Sequence, residues 1–531
     1  MLGRVVSRVL RSQARSVPFY FSSTTHTQLL YFSSNTEPIS SSSPQHHPAT
    51  LQHQPTASQQ PYRNKKREKQ RLRKLSKRKT DSTASDGILQ HEIQQLAHDL
   101  GITSYTNSAE TIQAYRQRGH TRIIEDLKII RISSTGSGLG VCVSETDPDA
   151  RVIVVVPFTT VGDIIKVELG VHFEKYAEGH IVQVQMSSGL RRDDLVQCKH
   201  FTKCSGCQLQ MMSYQDQLQF KTNVVKNAYA QFGFETETLP IGGTVGSPLQ
   251  YGYRTKLTPH FNSDRKNIML GFERAGLGKG LFNVDSCSIA TDVLSNALTE
   301  DRDDLENIVR RYKKFGTVLL RDKSVDGKQE YTTNHTEIIT QQINEFRFQF
   351  PAGEFFQNNK SILPVLLDHV REYIDPTKHR NIVDTYCGSG FFGISLSKSA
   401  EKLIGIEISK GSLAFAKQNA DLNDVKNASF LLGSSEEIFK GLDSFNPEET
   451  IVILDPSRKG SNEDYLTQLS AFKPSLIVYV SCNVFSQARD LQFFCNQTEN
   501  GQEYELKTIR GYDFFPQTKH VESLAILELR K

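Results

Sequence analysis

The chain has 531 residues, of which 23% are charged and 37% hydrophobic, and its formal net charge is +4. This length predicts three or four domains, and the composition excludes a chain that is disordered throughout. No apolar run approaches the roughly 18 residues of a membrane-spanning helix, so we expect no membrane partner. The eight cysteines are too few and too unevenly spread for a secreted disulfide scaffold. A reducing compartment, with thiols that bind metal or act in catalysis, is therefore favoured.

The N-terminal region has the composition of a targeting segment followed by a linker. Residues 1–36 contain no Asp or Glu, and four arginines recur at spacings of four, three and four opposite an apolar face. This pattern is typical of a transit peptide, which predicts a mitochondrial location; a disordered N-terminus is the alternative. Residues 37–85 are expected to form a disordered basic linker. Within it, residues 63–79 carry a net charge of +10, which fits contact with polyanions or a nuclear localisation signal and leaves nucleus or cytoplasm as alternative compartments.

Residues 122–187 have the pattern of a small β-domain. Short alternating segments, separated by Gly-marked turns, predict five or so strands that close into an OB-like barrel. The segments are 127–132, 151–157, 163–169 and 179–186, and the clearest turn is predicted at 134–140. Such barrels often bind single-stranded nucleic acid, but a spacer domain fits this segment equally well.

A cysteine cluster marks the central region, residues 188–349. Cys198, Cys204 and Cys207 form a C-x5-C-x2-C motif, and Cys287 follows eighty residues later. Four thiolates can hold either a tetrahedral zinc ion or a [4Fe–4S] cluster. The spacing favours a metal site over independent buried cysteines, but it does not distinguish zinc from iron–sulfur.

Residues 350–531 alternate between strands and helices, which predicts an α/β domain with a parallel sheet. The segment 381–393 is a short apolar strand that breaks into a Gly-rich turn, and the next strand ends in Glu407. An acid at that strand tip suits the ribose hydroxyls of a nucleoside ligand. Asp384 precedes the turn, and the third glycine of a dinucleotide site is absent. Together these features favour S-adenosylmethionine (SAM), and hence a class I, Rossmann-like SAM-dependent methyltransferase fold.

Two further side chains at strand ends indicate the chemistry. Cys482 ends an apolar strand and is expected to face the same cleft as Asp455 and the Gly-rich turn. A thiolate that adds to carbon 6 of uracil makes carbon 5 nucleophilic enough to attack the SAM methyl group. Glu522 is a plausible base for the carbon 5 proton. The alternatives are a buried structural thiol and a solvated acid at a strand end.

The stretch from about 122 to 531 resembles the RNA uracil-C5 methyltransferases, which make 5-methyluridine in tRNA and in large-subunit rRNA. The motifs that carry the resemblance are CKHFTKCSGC with Cys287, FFQNN (355–359), VDTYCGSG, GIE, LDPSRKG, YVSCN followed by ARDL (488–491), and DFFPQTKHVE (513–522). Each motif alone is weak, and the combination is specific.

The resemblance implies a role for each of these positions. It implies a TRAM domain, an OB-like RNA-binding barrel, for 122–187, with Cys482 as the nucleophile and Glu522 as the proton acceptor. The residues implied to contact SAM are Gln357, Tyr386, Glu407 and Asp455. The cysteines that match the [4Fe–4S] ligands of the rRNA-modifying branch are Cys198, Cys204, Cys207 and Cys287, which tilts the metal choice away from zinc.

The sequence departs from the family pattern at Ser205, Ser457 and Val484, and none of these changes removes a group that the chemistry needs. An RNA cytosine-C5 methyltransferase is a rival, but its Pro-Cys pair is absent because serine follows Pro456. A non-catalytic, metal-stapled RNA-binding or chaperone protein is the second rival. The T-loop uridine of tRNA is the favoured substrate, since that is the common eukaryotic role in the family; the cysteine set argues instead for mitochondrial large-subunit rRNA. We expect a monomer.

Overall fold

The computed structural model describes residues 81–530, apart from 106, 108–111, 114–121, 146, 263, 265, 277–279, 434–438 and 440. The predicted transit peptide and the basic run lie outside the described residues. The first described helix, α1 (Ser85–Asp99), begins where the sequence predicts folded structure to start. Its buried carboxylate, Glu92, accepts a hydrogen bond from the backbone nitrogen of Ser134 at 2.9 Å and another from Asn227 at 3.4 Å. Helix α1 is thereby joined to both of the segments that follow.

Five strands then form a closed barrel in the order β1-β2-β3-β5-β4. They are β1 (Arg122–Ile132), β2 (Ser137–Val143), β3 (Arg151–Pro157), β4 (Ile164–His172) and β5 (Ala177–Met186). The predicted barrel is confirmed, and its interior is apolar, with Ile129, Val154 and Val167 fully buried.

The turn predicted at 134–140 is only partly correct, because strand β2 starts at Ser137. Gly138 and Gly140 serve close packing there. A Cβ at Gly138 would lie 2.1 Å from the Thr159 hydroxyl, and one at Gly140 would lie 2.9 Å from Leu127. Glycine inside a strand often marks such a close approach of neighbouring residues. The sequence pattern predicted a turn here because glycine is also common in turns.

The central region combines helices with three small antiparallel sheets, whose strand orders are β10-β9-β8-β11, β13-β12-β7 and β14-β15. Its elements are α2 (Tyr214–Gln231), β6 (Ile241–Val245), β7 (Lys256–Leu257), β8 (His260–Phe261), β9 (Leu270–Glu273), β10 (Leu281–Asn283), α3 (Asp292–Ala297), α4 (Arg302–Val309), β11 (Gly316–Thr317), β12 (Leu320–Val325), β13 (Lys328–Thr332), β14 (Ile338–Ile343) and β15 (Phe346–Pro351).

The C-terminal region forms a large mixed sheet in the order β18-β17-β16-β19-β20-β22-β21-β6. Strands β16 to β20 pair in parallel, and helices follow β16, β17, β19 and β20, so the predicted alternation of strands and helices is present. The elements are α5 (Leu363–Arg371), β16 (Asn381–Thr385), α6 (Phe391–Leu396), β17 (Lys402–Glu407), α7 (Lys410–Leu422), β18 (Ala428–Leu432), β19 (Thr450–Leu454), α8 (Glu463–Phe472), β20 (Leu476–Ser481), α9 (Val484–Gln497), β21 (Tyr504–Tyr512) and β22 (Glu522–Leu529).

The edge strand β6 comes from the central region and pairs in parallel with β21. Helix α2 packs beside it and forms a buried ion pair through Lys221 and Asp513, both of whose side chains are fully buried. The sheet therefore draws on residues from both sides of the boundary predicted at 350. Among the described residues, the helices include none long and apolar enough to cross a membrane.

Candidate active site

The sheet places the predicted SAM-contacting residues at one edge because of its strand order. The chain runs from β16 to β17 and β18 on one side and then to β19 and β20 on the other, so a crevice opens beyond the carboxyl ends of β16 and β19. Tyr386 directly follows β16, Glu407 is the last residue of β17, and Asp455 directly follows β19. Tyr386, Glu407 and Asp455 therefore meet at one edge of the sheet because their strands are parallel neighbours.

The Gly-rich turn after β16 is held by the tip of β17. Glu407 accepts hydrogen bonds from the backbone nitrogens of Gly388 at 3.0 Å and Ser409 at 2.7 Å. Tyr386 has a left-handed backbone with φ of 65°, which is uncommon for a residue with a side chain and marks local strain. A Cβ at Gly388 would meet nothing within 4 Å, so this face of the turn is open.

A cavity of about 340 Å³ lies over this turn, and we call it the turn cavity. All four of the predicted SAM-contacting residues line it: Gln357, Tyr386, Glu407 and Asp455. Its walls are largely aromatic, with Phe350, Phe356 and Phe391 among them. Burial raises the pKa of Asp455 to about 7, so a cation bound in the cavity would stabilise its charged form.

Cys482 and Glu522 are brought together by strand register. Ser481, the last residue of β20, pairs with Ser523 of the antiparallel strand β22. Cys482 directly follows β20 and Glu522 is the first residue of β22, so the two lie side by side just beyond the last registered pair. Both side chains line a second cavity of about 540 Å³, which we call the cysteine cavity. Gln357 borders this cavity and also the turn cavity, so the two spaces adjoin.

Burial dominates the electrostatics of this pair. Glu522 is only 6% exposed. This burial, together with the nearby charge of Asp455, raises the pKa of the Glu522 carboxyl to about 8. Burial, with the charges of Glu522 and Asp455, raises the pKa of the Cys482 thiol to about 12. Arg458 opposes both shifts. A carboxyl with a pKa near 8 is close to the range in which a general base works at neutral pH, whereas the thiol must lose its proton before it attacks.

The four cysteines of the predicted metal site also line the cysteine cavity: Cys198, Cys204, Cys207 and Cys287. Burial, reinforced by the neighbouring thiols, raises the pKa of Cys207 far above its usual range, and burial raises that of Cys287 to about 11. Within the described part of the chain, no group of three or more His, Cys, Asp or Glu has the arrangement to hold a metal ion. The four cysteines converge as predicted, but a formed metal centre is not found in these ranges.

Two residues to which the sequence analysis gave no role belong to the site. Arg458 lines the cysteine cavity and is the cation that opposes the raised pKa values of Cys482 and Glu522. Phe355 is 72% exposed and lines both cavities. Both residues stand in motifs that carry the family resemblance, Arg458 in LDPSRKG and Phe355 in FFQNN (355–359).

Comparison with known proteins agrees with this geometry. The family model for tRNA (uracil-5-)-methyltransferase matches residues 290–530. The tRNA (uracil(54)-C(5))-methyltransferase of Saccharomyces cerevisiae is 36% identical, over 88% of this chain and 84% of that protein. The chain belongs to the tRNA (uracil-5-)-methyltransferase family.

A second relative in the family, the tRNA (uracil(54)-C(5))-methyltransferase of Schizosaccharomyces pombe, is 37% identical over 86% of each chain. Among solved structures, the tRNA (uracil-54, C5)-methyltransferase of Pyrococcus abyssi, in complex with S-adenosyl-L-homocysteine, is similar with a TM-score of 0.56 and 24% identity. The similarity covers 76% of this chain and all of that one. It shows that the two chains share a fold.

Proposed function

We propose that the protein transfers a methyl group from SAM to carbon 5 of uridine 54 in tRNA. The observation that carries the proposal is that Cys482 and Glu522 lie together at the ends of β20 and β22, beside a cavity lined by the four residues predicted to contact SAM. The substrate is supported by the yeast and fission yeast relatives, whose names specify uracil 54 of tRNA.

In this proposal the turn cavity holds SAM, which supplies an electrophilic methyl group when bound. Glu407 takes the ribose hydroxyls, since its two oxygens are already oriented by the backbone of Gly388 and Ser409. Gln357 lies where the turn cavity meets the cysteine cavity, and Asp455 lines the turn cavity. Together they orient the methyl group toward the target base. The aromatic walls exclude water from the transfer.

The target uracil is flipped into the cysteine cavity. The Cys482 thiolate adds to carbon 6, and the electron pair of the 5,6 double bond becomes available at carbon 5, which takes the methyl group. Glu522 then removes the carbon 5 proton, the double bond re-forms, and the Cys482 thiolate leaves from carbon 6. Arg458 is the cation that favours the anionic forms of both residues.

The test uses tRNA transcripts labelled with tritium at carbon 5 of uridine. Wild-type protein with SAM should release tritium and place 5-methyluridine at position 54, and a transcript with cytidine at 54 should release none from that position. Cys482→Ala should abolish both release and product, while Cys495→Ala, a cysteine outside both cavities, should keep them. Turnover by Cys482→Ala would overturn the mechanism. Methylation of large-subunit rRNA with no methylation of tRNA would overturn the substrate assignment.

We also propose that Cys198, Cys204, Cys207 and Cys287 hold a [4Fe–4S] cluster that joins residues 198–287. Four thiols that line one cavity are the right type of ligand, and binding would have to draw them into the arrangement that the described residues lack. The cluster's binding energy would then contribute to folding. Anaerobically purified protein should be brown and contain iron and sulfide, and Cys204→Ser should lose both. Colourless wild-type protein with one zinc per chain, or with no metal, would overturn this assignment.

Location and assembly are also proposals. Residues 1–36 should direct a fluorescent fusion of residues 1–60 to mitochondria, and a fusion that is nuclear or evenly cytosolic would contradict this. The purified protein should be a monomer in light scattering.

A further inference from the structure

The segment 310–315, with the sequence RRYKKF, connects α4 to β11, and we call it the basic loop. All six residues are exposed. Phe315 is 80% exposed and is the most exposed large hydrophobic residue in the described ranges, and Tyr312 is 44% exposed. An apolar ring held this far into solvent next to four cations needs a physical explanation, because burial against a partner would be favourable.

The cations of the basic loop are largely uncompensated. Arg310 forms an ion pair with Glu306 at 3.5 Å. In the described part of the chain, Arg311, Lys313 and Lys314 form no ion pair. Three positive charges within four residues thus remain available to a polyanion.

The basic loop is anchored at its base. The Tyr312 ring packs against Phe261 with ring centroids 5.3 Å apart, and the two planes are inclined by 47°. Gly316 pairs with Phe261 across β11 and β8, and a Cβ at Gly316 would lie only 3.0 Å from the Phe261 ring. Phe261 therefore contacts the loop at Tyr312 and the strand that follows it at Gly316. Such anchoring restricts the loop and lowers the entropic cost of binding a ligand there.

The basic loop lies close to the rim of the cysteine cavity. In the same strand pair, Thr317 is opposite His260, and His260 lines that cavity. Phe315 precedes Thr317 by two residues, which is roughly 7 Å along a strand. The loop therefore lies beside a wall of the cavity that also contains Cys482 and Glu522.

We propose that the basic loop binds the RNA substrate beside the flipped nucleotide, with Arg311, Lys313 and Lys314 on its phosphates and Phe315 stacked on an exposed base. Cations that alternate with an exposed aromatic ring are how proteins bind nucleic acid outside regular duplex grooves, since the cations neutralise phosphates and the ring stacks on any base. RNA is favoured over an acidic protein or a lipid surface because the neighbouring cavity is proposed to take a nucleotide. The inference rests on the proposed function.

The experiment measures the Kd for full-length tRNA at several salt concentrations, on the full chain. Removing all three cations (R311A/K313A/K314A) should reduce the slope of log K against log[salt] by about 2, the counterions of three phosphate contacts. F315A should weaken binding about fivefold or more at every salt concentration and leave the slope unchanged, because stacking is not ionic. F315L, which keeps the apolar surface but not the ring, should not restore affinity.

The matched control is K328A/K402A/K417A, which removes three exposed lysines elsewhere on the protein and should change the slope less. Circular dichroism and kcat at saturating tRNA should match wild type for all variants. If wild type methylates tRNA while the loop variants bind with unchanged slope and affinity, the loop is not an RNA contact. Loss of binding to phosphatidylserine vesicles without loss of tRNA affinity would assign it to membranes and overturn the proposal. If wild type itself fails to methylate tRNA, the proposed function fails first, and that outcome is visible in the same assay.

Discussion

The two adjoining cavities are built in different ways. The turn cavity is lined chiefly by loops that follow successive parallel strands and by the segment 350–357. The cysteine cavity is lined by segments that are far apart in the chain, and besides Arg458 and Cys482 they include 198–210, 254–260, 284–289, 355–358 and 515–522. The first cavity depends on short motifs at strand ends, whereas the second depends on long-range packing between the central and C-terminal regions. The proposed cofactor site can thus be predicted from local sequence motifs. The proposed site of covalent bond formation beside it forms only when the central and C-terminal regions pack together.

The long-range packing has an identifiable basis in α2. Gln217 donates to the side-chain oxygen of Gln517 at 3.0 Å and accepts from its backbone nitrogen at 3.0 Å. Lys221 donates to the Phe515 carbonyl at 3.0 Å and forms the buried ion pair with Asp513. We call these contacts the α2 latch. They hold the loop between β21 and β22, which leads directly into Glu522.

The largest effect is expected from Glu522→Gln, which acts on the cysteine cavity alone. The nucleophile remains, so the methylated covalent adduct forms, but the carbon 5 proton has no good acceptor and turnover should fall by roughly 10²–10⁴. The adduct should accumulate as a slow-migrating protein–RNA band on a denaturing gel. Glu528→Gln, on the same strand but partly exposed, is the control. A wild-type rate for Glu522→Gln would show that another group is the base.

Lys221→Met tests whether the α2 latch supports one cavity more than the other. It leaves Asp513 as an uncompensated buried charge, which should lower the free energy of unfolding in urea by about 3–5 kcal/mol. The double variant K221M/D513L should recover most of this loss, since an apolar pair of similar volume often replaces a buried ion pair without cost. Lys226→Met on the same helix is the control.

In the folded fraction of Lys221→Met, methylation should fall more than affinity for S-adenosyl-L-homocysteine. Equal losses in both would show that the latch supports the whole sheet and would contradict the division between the two cavities.

Glu407→Ala acts on the turn cavity alone. Loss of a charged hydrogen-bonding group to the ribose should raise the KM for SAM about 10- to 100-fold with a smaller change in kcat. The covalent adduct with tRNA should form normally at saturating SAM. Glu401→Ala, an exposed acid just before the same strand, is the control. A KM for SAM within twofold of wild type would remove Glu407 from the SAM site.

The smallest effect is expected from pH. In the proposed mechanism Glu522 and Cys482 act in their deprotonated forms. Burial raises the pKa of Glu522 to about 8 and that of Cys482 to about 12. The single-turnover rate should therefore increase with pH, by up to about tenfold per unit below 8 for each group that must lose a proton. Affinity for SAM should change less across the same range. A rate that falls between pH 6 and 8 would contradict these assignments.

Much of the turn cavity was predictable from sequence because Tyr386, Glu407 and Asp455 lie at the ends of apolar strands, whereas Gln357 was indicated only by the family resemblance. Tyr386 and Asp455 come directly after β16 and β19, and the rule that parallel strands share a ligand-binding edge brings them together. The barrel was also predictable, except that glycines required for packing in β2 resembled a turn. In both regions the residues that determine the structure are close together in the sequence, so local patterns are sufficient to predict it.

The α2 latch and the edge strand β6 were not predictable in this way. Strand β6 has the sequence IGGTV, which lacks alternation and contains two glycines, and its partner β21 lies some 260 residues later. Lys221 and Asp513 give no sign in sequence that each is buried against the other. Pairings of this kind depend on the finished packing, and so does the arrangement of the four cysteines, which converge without the geometry of a metal site in the described residues.

The register between β20 and β22 fixes the positions of Cys482 and Glu522 independently of the side chains that would recognise the RNA. Backbone hydrogen bonds hold Ser481 opposite Ser523, so the spacing of the residues that follow them does not depend on the side chains lining the cavity. Relatives of this chain could exchange most of the lining residues, and with them the RNA loop that is accepted, while the nucleophile and the base keep their separation. The substrate could then change through successive single mutations of lining residues. A single-residue insertion in either strand would instead turn one of the two groups to the opposite face of the sheet and end catalysis in one step.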